Sequence, residues 1–216
     1  MDPQVTVFAH GKTPNPLKVM ILLEELGVKY AVKKKEMGDV ENGMKRPDFL
    51  KINPNGRVPA IIDHTANDFI VWESGAILLY LAEKFGQDGR WVGKSLDERA
   101  QVWEWLMFQV SGLGPMQGQL NWFKHFHPVK NLDQSVYDRY STETYRVYGV
   151  LEKRLTNTGN QWLALDCFTI VDIAFYPWLC LAAFGNIDMN RFPKLKEYVT
   201  RISELPSVKA AYAKLE

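Results

Sequence analysis

Apolar positions along the chain follow two different periods, and the change from one to the other divides the molecule. Val5 to Phe8 form a short β-type run, and His10 to Pro16 read as a turn. Val19, Leu22, Leu23 and Leu26 then fall at i, i+3, i+4 and i+7, the stripe of an amphipathic helix that stops at Gly27. Tyr30 to Lys34 alternate as a second strand, so the opening is β-α-β and implies a parallel pair. Residues 35–50 are charged and glycine-dotted, with at most a short helix around Pro47 to Ile52. The turn Asn53-Pro54-Asn55-Gly56 delivers a strand over Val58 to Ile62, and a second turn leads to a strand at Phe69 to Trp72, the spacing of an antiparallel hairpin. Ser74 starts a helix with Leu78, Leu81, Ala82 and Phe85 on one face, ended by the Gly86 to Arg90 break.

Beyond that break the strand signals stop. Trp103, Leu106, Met107 and Val110 form one helical stripe, and Tyr137, Tyr140, Thr144, Val147, Leu151 and Leu155 a longer one. Gly112 to Asn131, aromatic and glycine-bearing, reads as a loop or bent helix end. Thr169-Ile170-Val171-Asp172 reads as a capping box opening a helix that is apolar on nearly all sides and kinked at Pro177. A last stripe runs from Leu195 to Leu205. The expected organisation is an α/β domain over 1–86, with a mixed four-stranded sheet, followed by an all-helical domain over 94–216.

Composition changes this picture little. The 216 residues are 46% hydrophobic, 12% aromatic and 24% charged, which describes an ordinary globular protein. A formal net charge of +1 carries no general attraction for nucleic acid or an anionic membrane, so any anion site is local. The N-terminus lacks a signal-peptide pattern and no run reaches the length of a membrane span, so a cytoplasmic location is expected. Cys167 and Cys180 have no metal or redox spacing and read as buried core thiols. No metal site is expected.

Three stretches carry candidate chemistry. Glu73-Ser74 opens a helix, where free N–H groups, the positive end of the dipole and the Ser74 hydroxyl favour a carboxylate, while Glu73 accepts from an ammonium. The plain alternative is a Ser74 cap beside a solvated Glu73. Arg57-Val58-Pro59 sits just upstream in the same hairpin. A cis Val58-Pro59 bond would turn the Val58 backbone outward to pair with an extended peptide, and Arg57 could reach a carboxylate. A small peptide with a free amino-acid head fits this set. Thr13-Pro14-Asn15-Pro16 reads as an Asn15 cap with Pro16 at the first helical position. A thiol placed at that helix start would be held as thiolate by the dipole and by Asn15 or Thr13 as donor. Asn15 cannot remove the proton, so any activation is electrostatic.

The Asn53 to Ala60 turn with Arg-Val-Pro, the Trp72-Glu73-Ser74 helix start, and the Thr169 to Asp172 box ahead of Tyr176-Pro177-Trp178 together resemble a cytosolic glutathione transferase over essentially the whole chain. Thr13-Pro14-Asn15 resembles the Nu class and the fungal branch similar to the yeast nitrogen-regulator prion protein; with no Asn/Gln-rich stretch in the sequence, no prion role is expected. The resemblance implies a thioredoxin-like N-terminal domain, a helical C-terminal domain and a homodimer, with glutathione as co-substrate. It places Val58, beside Pro59, at the cysteinyl backbone, Glu73 and Ser74 at the γ-glutamyl head, Arg57 at the glycyl end, and Asn15 with Thr13 at the sulfur. It further implies that Arg139 reaches towards glutathione; a solvated helix-face arginine explains that residue equally well.

Two departures stand out. Met44 occupies a position where relatives often carry Gln or His, leaving Lys45 as a substitute donor, and Pro16 replaces a common Gly, removing a backbone donor beside the sulfur. The aromatic segment Trp122, Phe123 and Phe126, with Phe8 or Trp178, is the expected site for a small hydrophobic, disulfide or peroxide substrate. The resemblance favours disulfide reduction, deglutathionylation or peroxide reduction over aryl-halide conjugation. The alternative is a non-enzymatic ligand-binding or regulatory dimer that keeps the glutathione site.

Overall fold

The computed structural model describes residues 2–215, which form two compact units, 2–91 with 204–215 and 92–203. The first unit is built on a four-stranded mixed sheet of β1 (Val5–Ala9), β2 (Tyr30–Lys34), β3 (Ala60–Asp63) and β4 (Phe69–Trp72) in the order β2-β1-β3-β4. β1 pairs parallel with β2, and β3 pairs antiparallel with both β1 and β4. This is the mixed sheet of a thioredoxin-like domain. The ladder starts at Ala60 rather than at the expected Val58, because Pro59 has no N–H to give it.

Helices α1 (Pro14–Glu25), α2 (Pro47–Leu50) and α3 (Ser74–Phe85) complete the N-terminal part. The expected one-sided stripe of α1 is too narrow. Every residue from Pro16 to Leu23 is buried, since α1 packs against β1, α3 and the distant α9 (Pro206–Ala213). Ser207 donates to Glu25 at 2.5 Å, and Lys214 pairs with Glu24 at 3.0 Å. The last helix therefore belongs to the first compact unit, whereas counting in chain order assigns it to a helical domain ending at 216.

At the far edge of β3, Asp63 is fully buried and accepts from Thr65, from Tyr80 at 2.8 Å and from Lys84 at 2.5 Å. Burial pushes its carboxyl up, but these bonds outweigh burial and hold it below the usual aspartate value. The clamp fixes the end of β3 against the C-terminal half of α3.

The second unit contains α4 (Leu96–Phe108), α5 (Gly114–His125), α6 (Gln134–Thr158), α7 (Ile170–Leu179) and α8 (Pro193–Ser203). Three expectations are corrected here. Trp103 and Met107 face outward, 41% and 47% exposed, and the buried row of α4, which packs against α7, is Val102 and Leu106, continued by Gln109 and Leu113 at i, i+4, i+7 and i+11 through a π-helical turn at Gln109–Leu113. The glycines of 112–131 do not break the chain, which is helical to His125. A Cβ on Gly118 would lie 3.3 Å from the Trp178 ring, so this glycine serves close packing. Cys180 is exposed and Cys167 half-buried, not core thiols, because they flank α7 rather than lie within it, and no disulfide joins them. Among the described residues no helix is long and apolar enough to cross a membrane.

Candidate functional site

A cleft of about 350 Å³ opens in the first unit between the starts of α1 and α3 and the loop ahead of β3. Asn15 lines it from α1, Glu73 and Ser74 from α3, and Arg57, Val58 and Pro59 from the loop. Six residues read from three separate stretches of sequence thus meet in one cavity.

The loop wall is built by Asn53, which is 2% exposed. Its Oδ1 accepts from the Asn55 N–H at 3.0 Å, its Nδ2 donates to the Arg57 carbonyl at 2.7 Å, and its own carbonyl accepts from Gly56 at 2.8 Å. Gly56 supplies the positive φ, +61°, that this turn requires. The Val58-Pro59 bond is cis, the condition under which the Val58 backbone is expected to turn outward. Pro59 is buried beneath the cleft, Val58 is half-buried, and the Arg57 side chain is exposed. Asn53 and Asn55 line the cleft as well, though their sequence signature indicated only a turn.

The α3 wall carries the charge. Glu73 is the N-cap residue with φ +72°, and its exposed side chain makes no capping bond. Ser74 is the first helical residue, 6% exposed, and so is not the cap considered from sequence. Beneath it lies Lys18, 1% exposed, whose Nζ donates to Ser74 Oγ at 3.3 Å. Burial pulls the Lys18 pKa down to about 7, opposed by the Glu73 carboxylate, which favours the ammonium. Lys18 was absent from the sequence-based site. Its signal was there, a single charge in the apolar run Leu17 to Leu23 and three residues from Asn15 on one helix face.

The α1 wall differs from expectation in its cap. The helix starts at Pro14 with Thr13 as N-cap and no side-chain capping bond, so Asn15 lies inside the first turn. The Thr13 hydroxyl donates to the His10 carbonyl at 2.7 Å, and Thr13 is not among the cleft-lining residues. With prolines at 14 and 16, the backbone donors of this turn are reduced.

Other expected site residues separate. Met44 (7% exposed) and Phe8 (4% exposed) belong to an apolar cluster with Phe49 and Ala60, so neither side chain lines the cleft. Lys45 is exposed and donates from Nζ to the carbonyl of Asn55 at 2.9 Å, bracing the loop wall from outside. In the second unit Trp178 is buried and its carbonyl accepts from Gln117 at 2.8 Å, a core position. Trp122 and Phe126 are exposed, and Phe123 stacks between His127 and Tyr140 at 5.3 and 5.4 Å. Arg139 is exposed on α6, where the Arg146 hydrogen bond holds Glu143 below its usual pKa and the Arg139 charge adds to it. Among the described residues, no three His, Cys, Asp or Glu side chains are grouped to hold a metal ion.

Residues 3–83 match the glutathione S-transferase N-terminal domain, and residues 113–206 match the glutathione S-transferase C-terminal domain. The chain belongs to the glutathione S-transferase family. It is 40% identical over 208 residues to the disulfide-bond oxidoreductase YfcG of Escherichia coli (strain K12), covering 94% of this chain and 93% of that one. It is 34% identical to the transcriptional regulator URE2 of Saccharomyces cerevisiae, covering 94% of this chain and 66% of the regulator. The crystal structure of the glutathione transferase URE2P8 from Phanerochaete chrysosporium with oxidized glutathione superposes with a TM-score of 0.91 at 34% identity, over 100% of this chain and 96% of that one. The relatives match the fungal URE2-like branch of the glutathione transferases.

Proposed function

We propose that this glutathione S-transferase family member uses glutathione as reductant and nucleophile, with thiol–disulfide exchange, deglutathionylation or peroxide reduction ahead of aryl-halide conjugation. The observation that carries the reading is the single cleft in which an exposed acid, a buried hydroxyl over an ammonium, a cis-proline loop and the first turn of α1 converge. In it, Glu73 accepts from the α-ammonium of the γ-glutamyl head and Ser74 donates to its carboxylate. The Val58 backbone pairs with the cysteinyl residue and Arg57 faces the glycyl carboxylate. The sulfur then lies at the start of α1, where the dipole and the Asn15 amide favour thiolate over thiol.

The chemistry follows from a glutathione thiolate without a protein cysteine in the cleft. The thiolate attacks one sulfur of a disulfide, the new S–S bond forms as the old one breaks, and the second sulfur leaves as a thiolate that takes a proton from water. A second glutathione, as thiolate, attacks the glutathione sulfur of the mixed disulfide, so that oxidised glutathione forms as the mixed S–S bond breaks, and the remaining substrate sulfur leaves as a thiolate that takes a proton from water. The exposed rings of the second unit, Trp122 and Phe126, offer faces to apolar substrates, with the half-buried Phe123 edge-on to Trp122. The protein is a homodimer in this reading. The edge strand β4, with Phe69 52% and Trp72 39% exposed, is an apolar surface of the kind that a partner covers. The cytosol supplies the reduced glutathione that the cycle consumes.

The test is parallel assay of disulfide reduction, peroxide reduction and conjugation on one preparation, with Asn15→Ala alongside. Disulfide or peroxide turnover should dominate, and Asn15→Ala should lower kcat/KM about tenfold. Dominant conjugation would reverse the ordering. Similarity to the transcriptional regulator URE2 favours a second reading, a regulatory dimer that keeps the site. It predicts glutathione binding with no turnover above background.

A further inference from the structure

Lys18 lies under the cleft at Ser74, and neither the sequence motifs nor the proposed chemistry gives it a role toward the ligand. We infer that Lys18 is a positioning residue for the carboxylate of the γ-glutamyl head, acting through Ser74 from beneath the cleft. The inference rests on the glutathione reading above.

The geometry gives the reason. Ser74 Oγ accepts from Lys18 Nζ at 3.3 Å, so the hydroxyl hydrogen of Ser74 is left to donate elsewhere. Ser74 lines the cleft at the first position of α3, and a carboxylate there receives that hydrogen together with the N-terminal N–H groups of the helix. Lys18 adds a positive charge behind Ser74 at a point that water does not reach, where screening is weak. Glu73, on the solvent side, serves the ammonium of the same ligand. The two charges of an amino-acid head are thus met by two protein charges of opposite sign on either side of Ser74.

A buried lysine facing an incoming carboxylate also titrates. Its pKa stands at about 7, so near neutral pH only part of the population is charged. The elements packed on α1 bring Tyr80, Glu83 and Lys84 from α3 and Lys209 and Tyr212 from α9, while β1 brings no titratable side chain. Among them and the cleft residues Arg57 and Glu73, it is the Glu73 charge that holds the ammonium. A bound carboxylate adds a second such charge and raises the Lys18 pKa. Affinity is then highest below pH 7, falls as pH rises through the free-state value, and levels off above the bound-state value. Binding near pH 7.5 takes up protons.

The probe is S-methylglutathione, whose thiol cannot titrate, measured by calorimetry from pH 6.5 to 8.5 in two buffers of different ionisation enthalpy. The wild type is expected to take up protons at pH 7–7.5 and to lose about tenfold in affinity across the range. Lys18→Met, close in volume, should bind about tenfold more weakly at pH 6.5, match the wild type at pH 8.5, and lose the uptake at pH 7–7.5 while keeping that of the ligand amine at higher pH. If Lys18→Met does not fold, the wild-type uptake at pH 7–7.5 decides, because the ligand amine titrates above it. Binding by the wild type with no uptake there, or with uptake equal in Lys18→Met, overturns this inference alone. No binding of S-methylglutathione or glutathione by the wild type overturns it together with the glutathione reading.

Discussion

The starts of α3 and α7 use the same two chemical parts, a hydroxyl and a carboxylate, in opposite order. In α7 the hydroxyl comes first. Thr169 is the N-cap, Asp172 follows three residues later, and the two close on each other in a capping box. Asp172 is fully buried and spends both oxygens. One accepts from the Thr169 N–H and hydroxyl at 2.8 and 3.2 Å, the other from the Leu163 N–H and the Tyr198 hydroxyl, each at 3.0 Å. In α3 the acid comes first, and Glu73 points outward from a left-handed backbone without capping anything. Ser74 is then held from behind by Lys18. One helix start is closed on itself and welds a loop into the core, whereas the other leaves its side-chain cap unmade and lines a cleft. The order of acid and hydroxyl decides which end can receive a ligand's carboxylate.

The largest break in this contrast is Asp172→Ala. It leaves the N–H groups of Leu163 and Thr169 and the Tyr198 hydroxyl buried without their acceptor, and the cost should be about 3 kcal/mol. Burial pushes the Asp172 carboxyl above its usual pKa, against the four bonds that pull it down, so part of the loss is recovered as a buried charge is removed. Denaturant unfolding should show the loss, while glutathione affinity of the folded protein should stay unchanged. A matching drop in affinity would mean that the α7 start is not purely structural.

The two ends were unequally legible in the sequence, for a physical reason. A capping box lies within four residues, so Thr169 to Asp172 could be read locally, as could the limits of β4 and α3 and the proline-bearing loop. What could not be read came from distant chain. Lys18 is hidden beneath Ser74 of α3, 56 residues further on, and α9 covers α1 from still more distant chain, which turns an amphipathic stripe into a helix buried from Pro16 to Leu23. Met44 and Phe8 pair with each other and Phe49 across three elements, so their removal from the cleft is a packing outcome. The outward Trp103 and Met107 are large apolar side chains next to the buried Val102 and Leu106, so residue type alone does not separate the buried face of α4 from its neighbour.

Glu73→Gly should separate stability from function at the open end. A non-glycine residue at φ +72° carries strain of about 1 kcal/mol or more, which glycine relieves. At pH 8.5, where Lys18 is already largely neutral, loss of the Glu73 charge costs the fold little. The variant is therefore expected to gain about 1 kcal/mol, seen as a Tm rise of about 2–4 °C. Glutathione affinity should fall about tenfold or more, because the ligand ammonium loses its partner. Lower stability at this pH would show that Glu73 serves the fold and not the ligand.

Thr169→Ala is the smallest change and sharpens the closed end. It removes the hydroxyl that caps the Val171 N–H at 3.2 Å and that donates to Asp172, but it leaves the Thr169 N–H to Asp172 bond in place. Half of the box survives, so the cost should be that of an ordinary cap, about 1 kcal/mol and a third of the Asp172→Ala effect. If thermal unfolding instead shows the two variants to be equally damaging, the threonine hydroxyl is what orients the aspartate. The box would then act as a single unit, because an acid without its hydroxyl could not hold Leu163 and Tyr198 either.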